Sequence, residues 1–440
     1  MARFLLATHP FTGHFEPGVP IAYELVRRGH EVHWYTGPKF QPKIEALGAV
    51  YEPMHEALVR DDADIGVVFP ERRGLQGLAQ LKFDLKHLFT DAAEGHIADL
   101  EAILKHYPAE ALLTDILFIG GSLLQEKTGI PWAGYGMTIM GLNSRDTAPS
   151  GLILPPNASP PGRIRNHILN FLVHGVLFRD VNRNLDRVRQ RIGLPARHTW
   201  FADALLPTHL FLQGTIPAFE YPRSDMKPQL HFIGPSLPPP SPIFTPPPWW
   251  PEVVEAHRPV ILVTQGTFAT DPQELVIPAI KGLANEEVLV IVTTGGTPVE
   301  DFPLHSLPTN VRLVQFVPFA ALMPYVSVMV TNGGYGSTHF ALANGVPLVG
   351  AGKSEDKGEI CARIGWSGVG INLKTQTPDA EQVRQAVKAV LDQPVYRQNA
   401  RQMQAEIGRT NAPVTAADLM EELVATRQPV LTIKARHPAV

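Results

Sequence analysis

The alternation of short apolar strand patterns with amphipathic helical patterns constrains the fold of this chain more than any other feature. The strand patterns lie at residues 3–8, 31–35, 111–114, 132–135, 260–264, 288–293, 311–314 and 328–331. Strands that alternate with helices form parallel sheets with helices on both faces. We therefore predict an α/β chain with two doubly wound, Rossmann-like domains, whose ligands bind at the carboxyl ends of the strands.

A proline-rich segment interrupts the alternation. The chain contains 42 prolines, and they cluster around the run PPPSPIFTPPPWW. Proline has no N–H group for a sheet ladder, so such a segment tends to stay extended and outside the sheets. We expect an N-terminal domain at residues 1–216, a linker at 217–255, a C-terminal domain at 256–410, and a final helix and tail at 411–440 that packs back on the first domain. Residues 208–212 are predicted to form the last strand of the first half.

The bulk composition excludes several classes of protein. A formal net charge of -4 gives no general attraction to nucleic acid. The single cysteine, Cys361, rules out an internal disulfide framework and fits a reducing compartment. No run approaches the roughly 18 consecutive apolar residues of a membrane span, and the start MARFLLATHPF is not typical of a secretory signal. We expect a cytoplasmic protein without a transmembrane segment and without a nucleic-acid partner.

Residues 164–192 are predicted to be helical, with two halves of different character. The first half is apolar, from Phe171 to Phe178, and the second half carries Arg179, Arg183, Arg187, Arg189 and Arg191. A solvated face is the ordinary interpretation of such arginines. A peripheral contact with a membrane surface is the alternative, because amphipathic segments with basic residues bind lipid interfaces.

The stretch VMVTNGGYGSTHFALANGVPLVG, at residues 328–350, is typical of a strand, a glycine turn, a helix and a second strand. Asn332, Gly333, Gly334 and Gly336 allow a tight turn, and Ser337 is predicted to cap the helix. A helix N-terminus behind such a turn presents free N–H groups to a phosphate. A purely steric strand-to-helix turn explains the same glycines equally well.

Two candidate catalytic residues follow strands of the first half. His14 lies in the turn after the first strand, and Asp115 ends a later strand. A carboxylate that orients an imidazole is a common general-base arrangement. From the spacing alone, a helix-capping role for His14 and an N-cap role for Asp115 fit equally well. Neither half carries a G-x-G-x-x-G or G-x-x-x-x-G-K-[ST] motif, which argues against dinucleotide and P-loop sites.

Residues 328–373 resemble the nucleotide-sugar signature of the family-one, UDP-glycosyltransferase-like enzymes of the GT-B fold, which include bacterial and fungal macrolide, sterol and glycolipid glycosyltransferases. The matching residues are Gly333, Gly334, Gly336, Ser337, Ala341, Leu342, Gly345, Val346, Pro347, Asp356, Arg363, Gly368 and Gly370. The motifs Gly13-His14 with Pro17, Thr114-Asp115 and Phe316-Val317-Pro318 also resemble family motifs. The resemblance covers nearly the whole chain and implies a GT-B architecture, in which two Rossmann-like domains face a cleft.

The resemblance implies a role for individual residues. His14 is the expected general base and Asp115 its partner, in an N-terminal acceptor-binding domain. The donor-binding residues expected in the second domain are Gly266, Thr267, Phe316, Val317, Asn332, Gly333, Gly334, Gly336, Ser337, Asp356 and Lys357. The side chains expected to line an acceptor pocket are Phe11, Phe83, Phe118 and Met137. No cofactor or metal is implied, because a helix dipole and N–H groups can stabilise the departing diphosphate. We interpret the D-x-D-like run at residues 62–64 as solvated charge.

The implied activity is inverting, metal-independent transfer of a sugar from a UDP- or dTDP-sugar, with glucose as the first candidate sugar. The implied acceptor is a hydroxyl of a hydrophobic molecule such as a lipid, sterol, polyketide or flavonoid-like molecule. Asn332 replaces a family histidine, Phe340 stands where a Glu or Gln usually binds the ribose, and Lys357 replaces a Gln. His339 is either a substitute ribose ligand or a solvent-facing side chain. The same departures motivate an alternative: a catalytically silent nucleotide-sugar-binding or partner-activating protein. A GT-B-like epimerase would need an acid/base pair beside the donor, which the sequence does not offer.

Overall fold

Two parallel sheets organise the chain, which confirms the predicted α/β class. The structure, a computed structural model, describes residues 1–61, 64–237, 244–266, 271–304 and 306–432. The strands of the first half are β1 (Arg3–Ala7), β2 (Glu31–Thr36), β3 (Val50–Pro53), β4 (Ala111–Asp115), β5 (Trp132–Gly136), β6 (Leu210–Gln213) and β7 (Leu230–Phe232). They form one seven-stranded sheet in the order β3-β2-β1-β4-β5-β6-β7.

The second half repeats this arrangement with six strands. They are β8 (Val260–Thr264), β9 (Leu289–Thr293), β10 (Val311–Val314), β11 (Val326–Thr331), β12 (Leu348–Gly350) and β13 (Gly370–Asn372). Their order is β10-β9-β8-β11-β12-β13. In both halves the first strand is central and the order reverses beside it, which is the doubly wound topology.

Helices cover both faces of each sheet. Those of the first half are α1 (Thr12–Phe15), α2 (Val19–Arg27), α3 (Gln41–Ala46), α4 (Ile65–Val68), α5 (Gly77–Phe83), α6 (Ala92–His106), α7 (Gly120–Thr128), α8 (Pro160–Asn170), α9 (Arg179–Arg191) and α10 (Phe201–Ala204). Those that follow are α11 (Trp250–Val254), α12 (Val276–Leu283), α13 (Phe319–Leu322), α14 (Tyr335–Ala343), α15 (Lys357–Trp366), α16 (Ala380–Asp392), α17 (Pro394–Ile407) and α18 (Ala412–Thr426). Two π-helical segments, Asp84–Thr90 and Phe171–Leu177, extend α5 and join α8 to α9.

Alternate residues of the central strands enter different cores. In β1, Phe4 and Leu6 pack in the cluster that includes α2 and α18, whereas Leu5 and Ala7 pack in the cluster that includes α6 and α7. All four side chains are fully buried. Covering both faces in this way is typical of an all-parallel sheet. Only the strand ends and the loops that follow them are therefore available to a ligand.

The last helix packs on the first half of the chain. Met420 and Leu423 of α18 are buried in the core beside α2. Arg28, directly after α2, lies 2.6 Å from Asp418 and 3.1 Å from Glu421. The return of the chain onto the first half is thus seen as far as residue 432, and residues 433–440 of the predicted tail lie outside the described residues. The domain boundaries themselves stay predictions.

Two local predictions are wrong. The strand predicted at residues 208–212 is present as β6, but it is not the last strand of the first half, because β7 pairs with β6 from within the segment expected to be a linker. Residues 229–234 contain no proline, so they can supply the N–H groups of an edge strand. Ser337 does not cap α14: the helix begins at Tyr335 with Gly334 as its N-cap, so Ser337 already lies inside the first turn. Residues 62–63 of the D-x-D-like run and residues 238–243 of the proline cluster lie outside the described residues.

Candidate active site

The switch point of the first sheet lies between β1 and β4. Ala7 faces Thr114 in their parallel register, so the loop after β1 and the residue at the end of β4 leave the sheet side by side. The crevice at such a switch point is the preferred ligand site of doubly wound sheets. His14 and Asp115, which the sequence analysis singled out, come from these two strand ends.

His14 and Asp115 form a hydrogen-bonded pair. His14 Nδ1 lies 2.8 Å from Asp115 Oδ1. The single-turn helix α1 holds the histidine in place, with its backbone N–H donating to the Phe11 carbonyl at 2.9 Å and its own carbonyl accepting from the Tyr135 hydroxyl. The Asp115 side chain is fully buried, whereas that of His14 is 17% exposed. Of the two residues, only the histidine can therefore reach an acceptor.

The surroundings of Asp115 decide which nitrogen of His14 carries the proton. Burial raises the pKa of the Asp115 carboxyl, but the electrostatic interactions with His14 and His9, together with the hydrogen bonds that both residues donate, outweigh burial and hold the pKa below its ordinary value. The backbone N–H groups of His9 and Leu117 donate to the carboxylate at 2.9 and 3.0 Å. Because an ionised carboxylate only accepts hydrogen bonds, His14 Nδ1 must donate. The lone pair of His14 Nε2 is then free to accept a proton, as a general base requires.

Two further histidines, His9 and His96, lie beside this pair and were not predicted. The His9 ring centroid is 5.5 Å from that of His14 and 5.3 Å from that of His96. Burial lowers the pKa of His9 to about 4, and burial also places the pKa of His96 well below its ordinary value. Both rings are therefore neutral at pH 7 and add no competing charge to the site. The available sequence signal for His9 was its position directly after the first strand.

Aromatic side chains stand beside His14. The ring centroids of Phe11 and Phe89 lie 5.6 and 6.0 Å from that of the imidazole. Phe11, Phe83 and Phe89 also belong to one apolar cluster, built around Phe69. The predicted acceptor residues Phe11 and Phe83 are thus brought into one apolar region next to the candidate base.

The other two predicted acceptor residues are placed differently. Phe118 is only 1% exposed and its ring stacks on that of His96, so it packs against one of the two buried histidines. Met137 is partly buried and packs against the cluster that contains Met140 and Phe211. Because Phe118 is a core side chain, any effect on an acceptor would act through the position of the neighbouring rings.

The corresponding switch point of the second sheet lies between β8 and β11. Thr264 faces Thr331 in their register, so Gln265 and Asn332 leave the sheet side by side. The Asn332 side-chain N–H group donates to the Gln265 carbonyl, and Asn332 is almost fully buried. Unlike the first switch point, this one presents an amide that carries no charge.

Gly333 is the residue that the turn after β11 requires. Its φ of 90° lies in the left-handed region, and an added Cβ would lie 2.7 Å from Cys361 Sγ and 2.9 Å from the Lys357 carbonyl oxygen. Gly334 then forms the N-cap of α14, and the Ser337 hydroxyl donates to the Gly334 carbonyl at 3.0 Å. The first-turn N–H groups of α14 have no partners within the helix and are suited to bind a diphosphate.

The donor side also contains a cavity of about 240 Å³ at the carboxyl ends of β8 and β9, lined in part by Gln265, Thr293 and Thr297. Of the predicted donor-binding residues, Phe316 is 77% exposed, so its ring is accessible to a ligand. The Val317 side chain is buried in the core, so only its backbone is available to the site. Gly266 has a φ of 76° in the turn after β8, and Thr267 lies outside the described residues.

The two halves meet at Asp356, directly before α15. The Thr138 hydroxyl, from the loop after β5, donates to Asp356 Oδ2. Burial raises the pKa of the Asp356 carboxyl. The neighbouring Lys357 Nζ lies 2.5 Å from Glu355 Oε2. Thr138 was not predicted, although its position two residues after a strand end was the available signal.

His339 is neither a ribose ligand nor a solvent-facing side chain. It is 1% exposed, and burial lowers its pKa to about 4. Its Nδ1 donates to the Tyr335 carbonyl at 2.9 Å, which leaves Nε2 to accept from the Thr215 hydroxyl at 2.6 Å. The His339 side chain is buried because this face of α14 packs against the segment that follows β6.

A buried ion-pair network joins the halves beside the site. The Arg363 guanidinium on α15 lies 3.0 Å from Glu220 and 3.2 Å from Glu359. Glu359 in turn accepts from the backbone N–H groups of Gly151 and Ile153 at 2.8 and 2.9 Å. Removing one member of such a network leaves an uncompensated buried charge, at a cost of about 3–5 kcal/mol. The long loop after β5 is thus tied to the helix that carries Asp356 at its start.

Within the described part of the chain, no three His, Cys, Asp or Glu side chains are grouped so that they could hold a metal ion. None of the described helices is long and apolar enough to cross a membrane.

The comparison with known proteins identifies the family. A family profile described as "Erythromycin biosynthesis protein CIII-like, C-terminal domain" matches residues 280–423. The 4'-demethylrebeccamycin synthase of Lentzea aerocolonigenes is 46% identical over 429 residues, which cover 96% of this chain and 100% of the relative. UDP-glucosyltransferase 1 of Beauveria bassiana is 32% identical over 452 residues, covering 96% of this chain and 94% of the relative. This chain belongs to the family-one glycosyltransferases, so it is a nucleotide-sugar-dependent glycosyltransferase.

A comparison of structures agrees on the fold. The crystal structure of the kitacinnamycin glycotransferase superposes with a TM-score of 0.75 at 21% identity, covering 96% of this chain and 98% of the other. The predicted GT-B fold and the predicted family are both confirmed.

Proposed function

We propose that this protein transfers a sugar from a UDP- or dTDP-sugar to a hydroxyl group of a hydrophobic small molecule, with glucose as the first candidate sugar. The transfer proceeds with inversion at the anomeric carbon and without a metal ion. The observation that carries the proposal is the 2.8 Å hydrogen bond between His14 and a fully buried Asp115 at the switch point of the acceptor half. The family membership supports the nucleotide-sugar donor.

In the proposed reaction His14 Nε2 takes the proton of the acceptor hydroxyl. The oxygen attacks the anomeric carbon of the donor from the face opposite the diphosphate, and the bond from that carbon to the diphosphate oxygen breaks with its electron pair. An α-linked donor therefore gives a β-linked product. Asp115 stabilises the imidazolium that forms. General-base catalysis typically contributes a factor of about 10²–10⁴ to the rate.

The proposed leaving-group site is the turn after β11. Its N–H groups at Gly334 and along the first turn of α14 offer hydrogen bonds and the positive end of the helix dipole to the departing diphosphate. Asn332 contributes an amide and no charge. Exposed Phe316 is the proposed stacking partner of the nucleobase, and Asp356 with Lys357 the proposed contacts of the sugar hydroxyls.

The acceptor is the least specified partner in this proposal. The apolar region formed by Phe11, Phe83 and Phe89 beside His14 favours a hydrophobic, ring-containing molecule. A relative named 4'-demethylrebeccamycin synthase supports a small natural-product acceptor. A polyketide, flavonoid-like, sterol or lipid hydroxyl each fits this description.

The test incubates the purified protein with UDP-glucose or dTDP-glucose and a panel of such acceptors, with and without excess EDTA. We expect a mass increase of one hexose, a β-anomeric proton coupling in the product, and the same rate with EDTA. The same acceptor with its hydroxyl methylated is the matched control and gives no product. An α-linked product or a rate abolished by EDTA contradicts the proposed mechanism.

A thermal-shift series identifies the donor nucleotide independently of the acceptor. A ligand at 100 times its dissociation constant stabilises the folded state by about 2.7 kcal/mol, so UDP and dTDP can be compared directly. We expect one of them to raise the melting temperature and adenosine diphosphate to leave it unchanged. No shift with either nucleotide contradicts the donor site proposed at α14.

A further inference from the structure

The segment from α8 to α9 exposes a continuous apolar stripe. Ile164, Ile168, Phe171, Leu172 and Val176 are between 48% and 63% exposed. The first four positions share one face at α-helical spacing, and the five-residue step of the π-helical segment returns Val176 to that face. Opposite residues of the same segment, such as Asn166 and Asn170, are buried and hydrogen-bond the loop at residues 144–157. The stripe is therefore the outer face of a helix that is anchored on its other side.

A row of arginines on α9 directly follows the stripe along the chain. Arg179, Arg183 and Arg187 follow at spacings of four residues and are all exposed. None of the three has a hydrogen-bond or ion-pair partner among the described residues. By contrast, Arg189 is buried against Glu126 at 2.8 Å. The unpaired arginines are thus the exposed ones that follow the apolar stripe in the chain at four-residue spacing.

We propose that this stripe, Ile164 to Val176 with Arg179, Arg183 and Arg187, is a docking surface for an anionic phospholipid membrane. A helix that lies in the plane of a lipid interface buries its apolar face at the headgroup boundary and places cations beside the phosphates. Arginine suits this position because its guanidinium binds phosphate oxygens in a bidentate manner. The protein as a whole carries a net charge of -4, so the attraction is local to this face.

Charge complementarity favours a lipid surface over a second copy of the chain. A two-fold contact places the same patch on both sides of the interface. Residues 160–179 contain no Asp or Glu. The two carboxylates among the arginines are already engaged, because Asp180 lies 2.7 Å from Lys82 and Asp186 lies 3.0 Å from His198. A second copy of the stripe would therefore bring apolar residues but no carboxylate to meet the three arginines. An anionic headgroup layer supplies both an apolar interior and the missing negative charge.

The test is co-sedimentation of the full chain with vesicles of phosphatidylcholine alone or with about one third phosphatidylglycerol. We expect binding to the anionic vesicles, weak binding to the neutral ones, and a decrease when the salt concentration is raised, since surface charges are screened. Replacing Phe171→Asp together with Val176→Asp should weaken the partition by at least tenfold. Replacing Arg179, Arg183 and Arg187 by Gln should weaken vesicle binding on the order of 10²-fold, because each cation near an anionic surface contributes a factor of about ten or somewhat less.

The matched control alters an exposed valine and an exposed arginine of the second half, Val395→Asp with Arg409→Gln. It should bind anionic vesicles within twofold of the unaltered chain. For every variant, the melting temperature and the affinity for the donor nucleotide report that the fold is intact. Equal binding to neutral and anionic vesicles, no binding to either, or full binding by the stripe variants overturns the proposal. So does a dimer in sedimentation that the Phe171→Asp, Val176→Asp variant dissociates while vesicles remain unbound.

Discussion

The two switch points of the molecule occupy equivalent places in the fold and carry opposite chemistry. At the first, between β1 and β4, an ionised Asp115 orients His14, and two neutral histidines surround the pair. At the second, between β8 and β11, the side chain is the uncharged Asn332 and the turn is made of glycines. The shared topology fixes where a ligand can bind, and the residues at the strand ends decide what the site can do to it.

The two switch points also differ in what maintains their geometry. The first depends on a buried charge, so its geometry fails if one partner is removed. The second depends on backbone conformation, so its geometry fails if a side chain is added where Gly333 has a φ of 90°. The proposed proton transfer in one half and the proposed diphosphate binding in the other are thus expected to be separable by mutation.

Asp115→Asn is expected to give the largest effect among the variants that probe this separation. An amide can donate to His14 Nδ1, which would turn the proton to Nε2 and remove the free lone pair. Turnover should fall about 10²–10⁴-fold, while the dissociation constant of the donor nucleotide stays within twofold. Steady-state kinetics and calorimetric titration measure the two quantities. A matching loss of nucleotide affinity would show that the two switch points are not independent.

Gly333→Ala should damage the other switch point. The left-handed backbone and the 2.7 Å approach to Cys361 Sγ predict a loss of about 1–3 kcal/mol in the free energy of unfolding, with weaker nucleotide binding. Gly336→Ala is the control for stability, because its added Cβ would meet nothing within 4 Å. Denaturant unfolding and nucleotide titration provide the readouts. Equal stability of the two variants would contradict the role assigned to this turn.

Asn332→Asp tests whether the neutrality of the second switch point matters. A carboxylate near a diphosphate is repelled by it, and we expect about tenfold weaker nucleotide binding, equivalent to about 1.4 kcal/mol. Asn344→Asp, at the opposite end of α14, is the matched control and should bind normally. Unchanged affinity in Asn332→Asp would place the diphosphate elsewhere.

Both halves are also expected to share a pH dependence of stability. Burial lowers the pKa of His9 and of His339 from 6.5 to about 4. The unfolded chain therefore binds more protons than the folded one between these pH values, so stability is complete above pH 6.5 and is lost as the pH falls toward 4. Denaturant midpoints at several pH values measure this slope. His339→Gln should reduce it, and an unchanged slope would contradict the assigned burial effect.

Local sequence patterns predicted the two parallel sheets and the glycine turn. The pairing of His14 with Asp115 was one of several interpretations that fitted the spacing, and the family resemblance implied it. Each of these rests on residues close to a strand end, where topology alone brings them together. The patterns did not predict the burial of His339, the contact between Thr138 and Asp356, or the edge strand β7. These features arise where distant segments pack against one another, and such contacts leave no periodicity in the chain. The replacement of a family histidine by Asn332, by contrast, could be identified from the sequence because the neighbouring residues match the nucleotide-sugar signature.

The most direct test of the central claim, that proton transfer belongs to the first switch point and donor binding to the second, is a paired measurement on His14→Ala. The account predicts that turnover with a UDP- or dTDP-sugar and a hydroxyl acceptor falls about 10²–10⁴-fold, while the donor nucleotide binds within twofold of the unaltered protein. Turnover that persists at the original rate in His14→Ala would contradict it.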